Sequence, residues 1–557
     1  MENSVLRTSN AHENTALESD LAEKTLWQNL SLLLLGLMAF TMLFWRLGAE
    51  SLNDWDEAIY AQVAKEIVNS GDWLTLHWGY EVWFHKPPLF MWVTATFFKL
   101  FEVNEFWARV PSALSGFGLV GCTYLIACKL YKKKEGQSVA HRIGLLSAAV
   151  LLTNYTFVHF SRFGTTDIAL TLSSYLAIYA YLWVCEERCW AWCGVWSAIA
   201  AAVMIKGVAG LAIAIVLFMT LLLTNHWRQA ICCIPFWIGF GIASMVVIPW
   251  HAAMLVMHGQ AFVDQYLLYH VVERSTGGGL EGNEGGPFFY VASLGEYFFP
   301  WVYLLPLAMF QQVRNLWQKG GSVGAILLVL VAIVFGGFSL ASTKLHWYII
   351  PMYPAMAIWV GALLYQALTC KDRLMWLGLL FSGTAVMALF PAEIVFLPDV
   401  LRQSLVVVGV VVLMMLSVAV FEFGWRRQVL SVALCGLFVI AGMREIKGIY
   451  HGGARPVARL SQAAEVPAAV GENAQKPPAL VVAMLSERLY MPTALFYSNR
   501  PIDWVRSPQA LAAATSTTHK RDILLATADI QMLQPQYDID IYARDGALTY
   551  AGIQQRS

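Results

Sequence analysis

The chain has 557 residues, 58% hydrophobic and 13% charged, with 37 basic and 37 acidic side chains that cancel. Soluble domains carry nearer a quarter of charged residues, so an ordinary soluble fold is excluded. A formal net charge of zero gives no electrostatic footprint for nucleic acid. Apolar runs long enough to cross a bilayer number about thirteen, and helices satisfy their own backbone in lipid. The composition therefore predicts a polytopic α-helical membrane protein.

In chain order, residues 1–26 are polar and mixed in charge and lack the basic start of a signal peptide, so 27–47 is expected as an uncleaved span. An outer loop at 48–108 follows. It holds an amphipathic pattern at 56–69, with Ile59, Val63 and Ile67 on one stripe, and an apolar piece at 88–101. Both predict helices lying along the interface. The further spans are expected at 109–131, 143–161, 167–185, 190–205, 207–224, 231–250, 297–313, 322–341, 346–369, 374–391, 403–422 and 428–443, the fifth and sixth nearly touching. The long loop 251–296 contains the Gly-rich "GGGLEGNEGG" and reads as a mobile lid. Beyond the membrane domain of 27–443, the tail 444–557 becomes richer in Pro, Ala and Gln. There "ALVVAML", "TALFYSN" and "DILLATA" predict short buried strands and "SPQALAAATS" a helix, together a small α/β domain.

Charge orients the chain. With the N-terminus cytoplasmic, the loops after the even-numbered spans carry Lys129, Lys132–Lys134 and Arg142, then Arg188, Arg228, Arg314 and Lys319, Lys371 and Arg373, and Arg426 and Arg427. Each is basic, as the positive-inside rule asks, which puts the tail outside. The nine cysteines fall in spans or cytoplasmic loops, so no disulfide framework is expected.

The span interiors are almost free of charge, whereas five outer segments bring polar chemistry to one face. They are Asp54, Asp56, Glu57 and Lys65 with "WFHKPPL"; "SRFGTTD"; Lys206; His258, Asp264, His270, Glu273 and Arg274; and "STKLHWYIIPMYP". A transporter or flippase of a lipid-linked sugar, the alternative class, binds near the midplane and often shows repeats. A dry midplane beneath a crowded outer face fits an enzyme acting at that leaflet better. A structural scaffold leaves the convergence of acids and bases unexplained.

Over roughly residues 27–370 the chain resembles the GT-C membrane glycosyltransferases that use a polyprenyl-phosphate sugar donor, above all the aminoarabinose lipid A transferases and the bacterial protein O-mannosyltransferase-like enzymes. The resemblance rests on the pair Asp56–Glu57 with Tyr60 four residues on, "HKPPL", Asp167 after the third span, and "KLHWYIIPMYP". It implies a GT-C membrane domain in the bacterial inner membrane, with a periplasm-facing active site, inverting transfer and a soluble C-terminal periplasmic domain. The expected partners are a polyprenyl-phosphate-linked sugar, membrane lipids and an envelope lipid, glycan or protein acceptor. The chain departs at His85, where the aminoarabinose transferases carry an acid before the Lys of "KP".

Under that resemblance Asp56 is the general base that removes the acceptor's proton, and Asp167 with Glu57 supports it. Asp54 as an N-cap with Glu57 three positions later also fits an ordinary capping box, and Asp167 fits an ordinary first-turn acid. Asp56 is the carboxylate such local readings explain least. Lys86, Arg274 and Lys344 are candidates for the donor phosphate, Lys86 favoured because Pro87 and Pro88 fix its backbone. Interfacial cations also snorkel to lipid phosphates. Tyr60 and Tyr348 could hydrogen-bond phosphate or sugar, or belong to the aromatic belt. His85 and His270 could share a divalent cation with a carboxylate, although their spacing matches no metal motif.

Overall fold

The computed structural model describes residues 25–273, 285–299, 301–319, 324–369, 455–464, 478–483, 485, 491–516, 520–545 and 547–556. Its described part contains six helices long and apolar enough to cross a membrane, or seven if one bent pair is a single crossing. The expected spans 374–391, 403–422 and 428–443 lie outside the described residues, as do most of the Gly-rich stretch and Arg274.

Helix α1 (Thr25–Phe44) is the first crossing. Arg162 closes its C-terminal end, donating to the Met42 carbonyl at 2.8 Å and the Trp45 carbonyl at 2.8 Å. The segment after α1 then forms α2 (Asp56–Ser70), a short hairpin of β1 (His77–Trp78) and β2 (Glu81–Val82), and α3 (Leu89–Leu100). Both helices form where the amphipathic patterns put them. Helix α2 is enclosed by protein. Residues from Glu57 to Ile67 are buried almost without interruption, because α3 packs on one side and a helix of the C-terminal module on another.

Helix α4 (Glu105–Glu135) starts at Asn104, whose side chain accepts from the Trp107 amide, and ends in Lys132, Lys133 and Lys134. Cap, acid and lysines all suit the helix dipole. Helices α5 (Gln137–Leu152) and α6 (Tyr155–Ser161) meet at 72°. The break is held by Asn154, which caps α6 through the Phe157 amide and donates to the Tyr297 carbonyl. Helix α7 (Thr166–Val184) follows.

The 33-residue apolar run Ala191–Leu223 divides into α8 (Ala191–Lys206), a 3-10 turn at Gly207–Leu211 and α9 (Ala212–Leu223). Gly207 takes φ 60, where a Cβ would also meet the Tyr266 hydroxyl at 2.5 Å, and only glycine holds such a reversal without strain. After α10 (Trp227–Ile231) comes α11 (Ile234–His258). Its Gly239 touches Trp192 at the start of α8, and its Trp250 clusters with Met204 near the end. Helices α8 and α11 therefore run in the same direction, and the chain between them runs back, as the two adjoining apolar runs of the sequence suggest.

A π-helical stretch, Val263–Glu273, leads towards α12 (Phe289–Tyr297), α13 (Leu305–Lys319) and α14 (Ala325–Leu340). A 3-10 turn at His346–Met352 then enters α15 (Tyr353–Thr369). Gly361 of α15 lies so close to α5 that a Cβ would fall 2.5 Å from Ser147 Oγ. One large apolar cluster joins these helices.

The C-terminal residues form α16 (Arg455–Ala463), β3 (Leu480–Ala483), α17 (Thr493–Ser498), β4 (Ile502–Val505), α18 (Pro508–Ala514), β5 (Arg521–Ala526), α19 (Asp529–Leu533), β6 (Tyr537–Asp545) and β7 (Leu548–Gln555). The sheet order is β4-β3-β5-β7-β6, parallel among β4, β3 and β5 and antiparallel at β7 and β6. The two runs "ALVVAML" and "DILLATA" supply strands and "SPQALAAATS" a helix. The stretch "TALFYSN" is a helix instead: Pro492 precedes it, Asn499 ends it in the left-handed region, and all six helical residues are buried. Its alternation of large residues mimics a strand, while docking against the segment around α2 fixes the helix.

Candidate active site

Polar side chains gather at one end of the helices. Asp56 opens α2, and Tyr60, one turn later, lies on the same face. Asp167 stands in the first turn of α7 and Lys206 is the last residue of α8. An acid at an N-terminus and a cation at a C-terminus each complement the helix dipole. Lys206 Nζ lies 2.5 Å from Asp167 Oδ1 and 5.6 Å from the centre of the Tyr348 ring. The Tyr60 hydroxyl bonds to Asp56 and sits in the field of both Asp56 and Asp167. Burial, reinforced by those two carboxylates, drives the Tyr60 pKa well above its ordinary value, so the hydroxyl stays a donor.

Beside this group is a cavity of about 250 Å³. Its lining includes His85, Lys86, Asp167, Lys206 and Tyr348. The remainder is mostly apolar, including Leu170, Ile213, Leu330, Val334 and Phe338. Lys86 and His85 enter from the segment before α3, where Pro87 and Pro88 follow, and the Trp83 ring stands 5.3 Å from His85. The cavity thus combines cationic and apolar lining, a composition suited to an amphiphile with an anionic head.

Other expected residues fall elsewhere. Glu57 is enclosed: Oε1 takes Arg109 Nε at 2.7 Å and the Gly164 amide at 2.9 Å, and Oε2 takes Arg109 Nη2 at 3.1 Å and the Asn53 amide at 2.8 Å. Burial pushes the Glu57 pKa up, but the Arg109 charge and these hydrogen bonds outweigh it and hold it below the ordinary value. Lys344 donates to the Ala341 carbonyl at 2.6 Å and is not among the residues lining the cavity, although its neighbour Thr343 is. The His270 side chain and Arg274 lie outside the described residues. Among the described residues no group of three or more His, Cys, Asp and Glu side chains is placed to hold a metal ion.

The capping-box reading of Asp54 is corrected. Trp55 occupies the N-cap position of α2 at φ 75, ψ −135, and no side chain caps the helix there. Asp54 turns away to the C-terminal module. Its Oδ1 accepts from the Thr493 amide at 3.1 Å and hydroxyl at 2.6 Å. A side-chain-bearing residue in that backbone region costs about 1–3 kcal/mol and persists where its surroundings fix it.

Two residues escaped the sequence reading. Lys206 stands on the crowded face with no local pattern to give it a role, though a lone lysine in a 33-residue apolar run is a functional signal by default. Arg109 was not singled out. An arginine at the mouth of an apolar run could have marked it, but its partner could not be read.

Residues 85–252 match the family described as dolichyl-phosphate-mannose-protein mannosyltransferase. An undecaprenyl phosphate-alpha-4-amino-4-deoxy-L-arabinose arabinosyl transferase of Shewanella sediminis is 25% identical over 411 residues, which is 72% of this chain and 69% of that protein. Matches to four curated relatives, two proteins of Aquifex aeolicus and two such transferases, span 60 to 72% of the relatives' own length. The crystal structure of ArnT from Cupriavidus metallidurans bound to undecaprenyl phosphate superposes with a TM-score of 0.70 at 20% identity, covering 94% of this chain and 97% of that one. The Archaeoglobus fulgidus oligosaccharyltransferase in its apo form gives 0.53 at 12% identity, covering 94% and 74%. At such identities the structures establish the shared fold. Residues 85–252 thus resemble that mannosyltransferase family, the relatives include aminoarabinose transferases at 25% and 27% identity, and the fold is shared with ArnT and the oligosaccharyltransferase.

Proposed function

We propose that the chain transfers a sugar from a polyprenyl-phosphate donor to a hydroxyl or phosphate oxygen of an envelope lipid, glycan or protein, at the periplasmic face of the bacterial inner membrane. The N-terminus is then cytoplasmic and the C-terminal module periplasmic. The observation that carries this reading is a cavity lined by Lys86, Lys206 and Tyr348 together with mostly apolar side chains, a lining that suits a phosphate on a long hydrocarbon chain.

In this reading the acceptor oxygen attacks the anomeric carbon while Asp56 takes its proton. A new carbon–oxygen bond forms, the bond to the donor phosphate breaks on the opposite side, and the configuration inverts. The bonding pair leaves with the polyprenyl phosphate, whose growing charge is met by Lys86 and Lys206, with Arg274 and Lys344 as further cations of the same face. Tyr60, held protonated, donates to Asp56 and orients it. Asp167 pairs with Lys206 and aims it. Glu57, saturated by Arg109, serves to hold the start of α2. The pairing of His85 and His270 on a divalent cation stays a separate proposal, and no step is routed through it.

The test uses the full chain in liposomes, with polyprenyl-phosphate-linked sugars extracted from bacterial membranes and an envelope extract as acceptor. Release of free polyprenyl phosphate and the mass gained by the acceptor are read together. Asp56→Asn is expected to abolish both while leaving the protein folded. Full release by that variant would remove Asp56 as base, and movement of donor across the bilayer without release would favour a transporter.

A further inference from the structure

The start of α2 is gripped from above by α17, a short helix of the C-terminal module. Besides the two hydrogen bonds from Thr493 to Asp54 Oδ1, the Tyr497 hydroxyl accepts from the Leu52 amide at 2.9 Å and donates to Glu105 at 2.8 Å. Lys65 donates to the Phe496 carbonyl and lies 4.7 Å from that ring's centre. The Tyr80 hydroxyl donates to the Asn499 carbonyl at 3.0 Å. These contacts fall on both sides of Asp56 in sequence. Between Asp54 and Asp56 stands Trp55 at φ 75, a conformation that needs both flanks pinned. The Glu57–Asn53 bonds pin one flank, and Thr493 pins the other through Asp54.

We propose that Thr493 is a positioning residue for sugar transfer. By holding Asp54 it fixes the strained Trp55 peptide and so aims the Asp56 carboxylate at the acceptor. The C-terminal module thereby completes the active arrangement. This inference rests on Asp56 acting as the base. It differs from a merely structural contact because it predicts a loss in turnover that is out of proportion to any loss of folded protein.

The experiment compares Thr493→Val, Asp54→Ala and the double variant of the full chain, with Thr493→Ser and Asp54→Asn as variants that keep the hydroxyl donor and the acceptor oxygen. All are assayed in liposomes with the extracted polyprenyl-phosphate-linked sugars, reading free polyprenyl phosphate, beside Asp56→Asn. A misaimed reacting group costs of the order of tenfold to a hundredfold in rate. Thr493→Val and Asp54→Ala are each expected to lower kcat about tenfold or more with the half-saturating donor concentration unchanged. The double variant should fall no further than the worse single one, and Thr493→Ser and Asp54→Asn should keep most of the turnover. Wild-type kcat in Thr493→Val, strictly multiplicative losses in the double variant, or losses that track only the folded fraction each overturn the proposal. Wild-type turnover in Asp56→Asn instead overturns the reading beneath it, whatever Thr493 does.

Discussion

Two acid–base pairs are buried near the start of α2, and they differ in how completely they are satisfied. In Glu57–Arg109 both side chains are 0–1% exposed. Arg109 also donates to the carbonyls of Leu47, Glu50 and Ser51, each at 2.9 Å, and Glu57 holds amides of Asn53 and Gly164 as well. That pair stitches the chain after α1 to α2, α4 and the turn before α7. In Asp167–Lys206, Lys206 meets a single carboxylate oxygen, and both residues line the cavity. A saturated pair has nothing left to offer a ligand, whereas a pair at a cavity wall can exchange one partner for a phosphate. Degree of satisfaction, more than burial or charge, separates scaffold from site here.

The sharpest way to break the comparison is Arg109→Met. It strands the Glu57 carboxylate in the core, and breaking one partner of a buried pair costs about 3–5 kcal/mol. Thermal unfolding of the purified protein in detergent should show a large fall in Tm and little folded material. An unchanged Tm would mean the pair is not the scaffold described. Lys206→Met should behave differently. It also leaves a buried carboxylate, Asp167, without its cation, but that pair lines the cavity, so Tm should fall less than in Arg109→Met, while transfer by the folded protein falls by about 10²–10³, the usual loss for one charge-stabilising group. A Lys206→Met protein that turns over normally, or that fails to fold, would erase the distinction between the two pairs.

How far the sequence reached follows the same line. The six or seven crossings among the described residues were legible because each apolar run carries its own signal, although thirteen runs were expected along the whole chain, and the polar residues Asp56, Tyr60, Lys86, Asp167 and Tyr348 were legible as neighbours of one region. Partnerships were not. Arg109 stands 52 residues from Glu57 and Lys206 stands 39 from Asp167, and no local pattern encodes either. Asp54 shows the limit most plainly. Its spacing from Glu57 satisfies the capping-box pattern, yet a threonine 439 residues away supplies better donors. The same docking turned "TALFYSN" from an expected strand into α17, because burial against another segment overrides a propensity that is weak over six residues.

The smallest predicted effect sets Glu57 against Asp54, three residues apart and shifted in opposite directions. Burial raises the Asp54 pKa above its ordinary 3.8, and the two Thr493 hydrogen bonds offset this only in part. The folded state therefore holds the Asp54 proton more tightly than the unfolded chain, and this group's contribution to stability declines as pH rises from 3.8 through the folded value. For Glu57 the folded pKa is lowered from 4.5, so its contribution is fully present above 4.5 and is lost as pH falls through the folded value. Asp54→Asn keeps an oxygen for Thr493 and should flatten the decline on the rising side, leaving the protein slightly more stable at neutral pH. Glu57→Gln should be less stable at neutral pH and should lose the acid-side dependence that wild type shows. Tm measured across about pH 3 to 7 in the two variants checks both signs. Parallel shifts of the two curves, with no change in slope, would mean that neither carboxylate is perturbed as its surroundings demand.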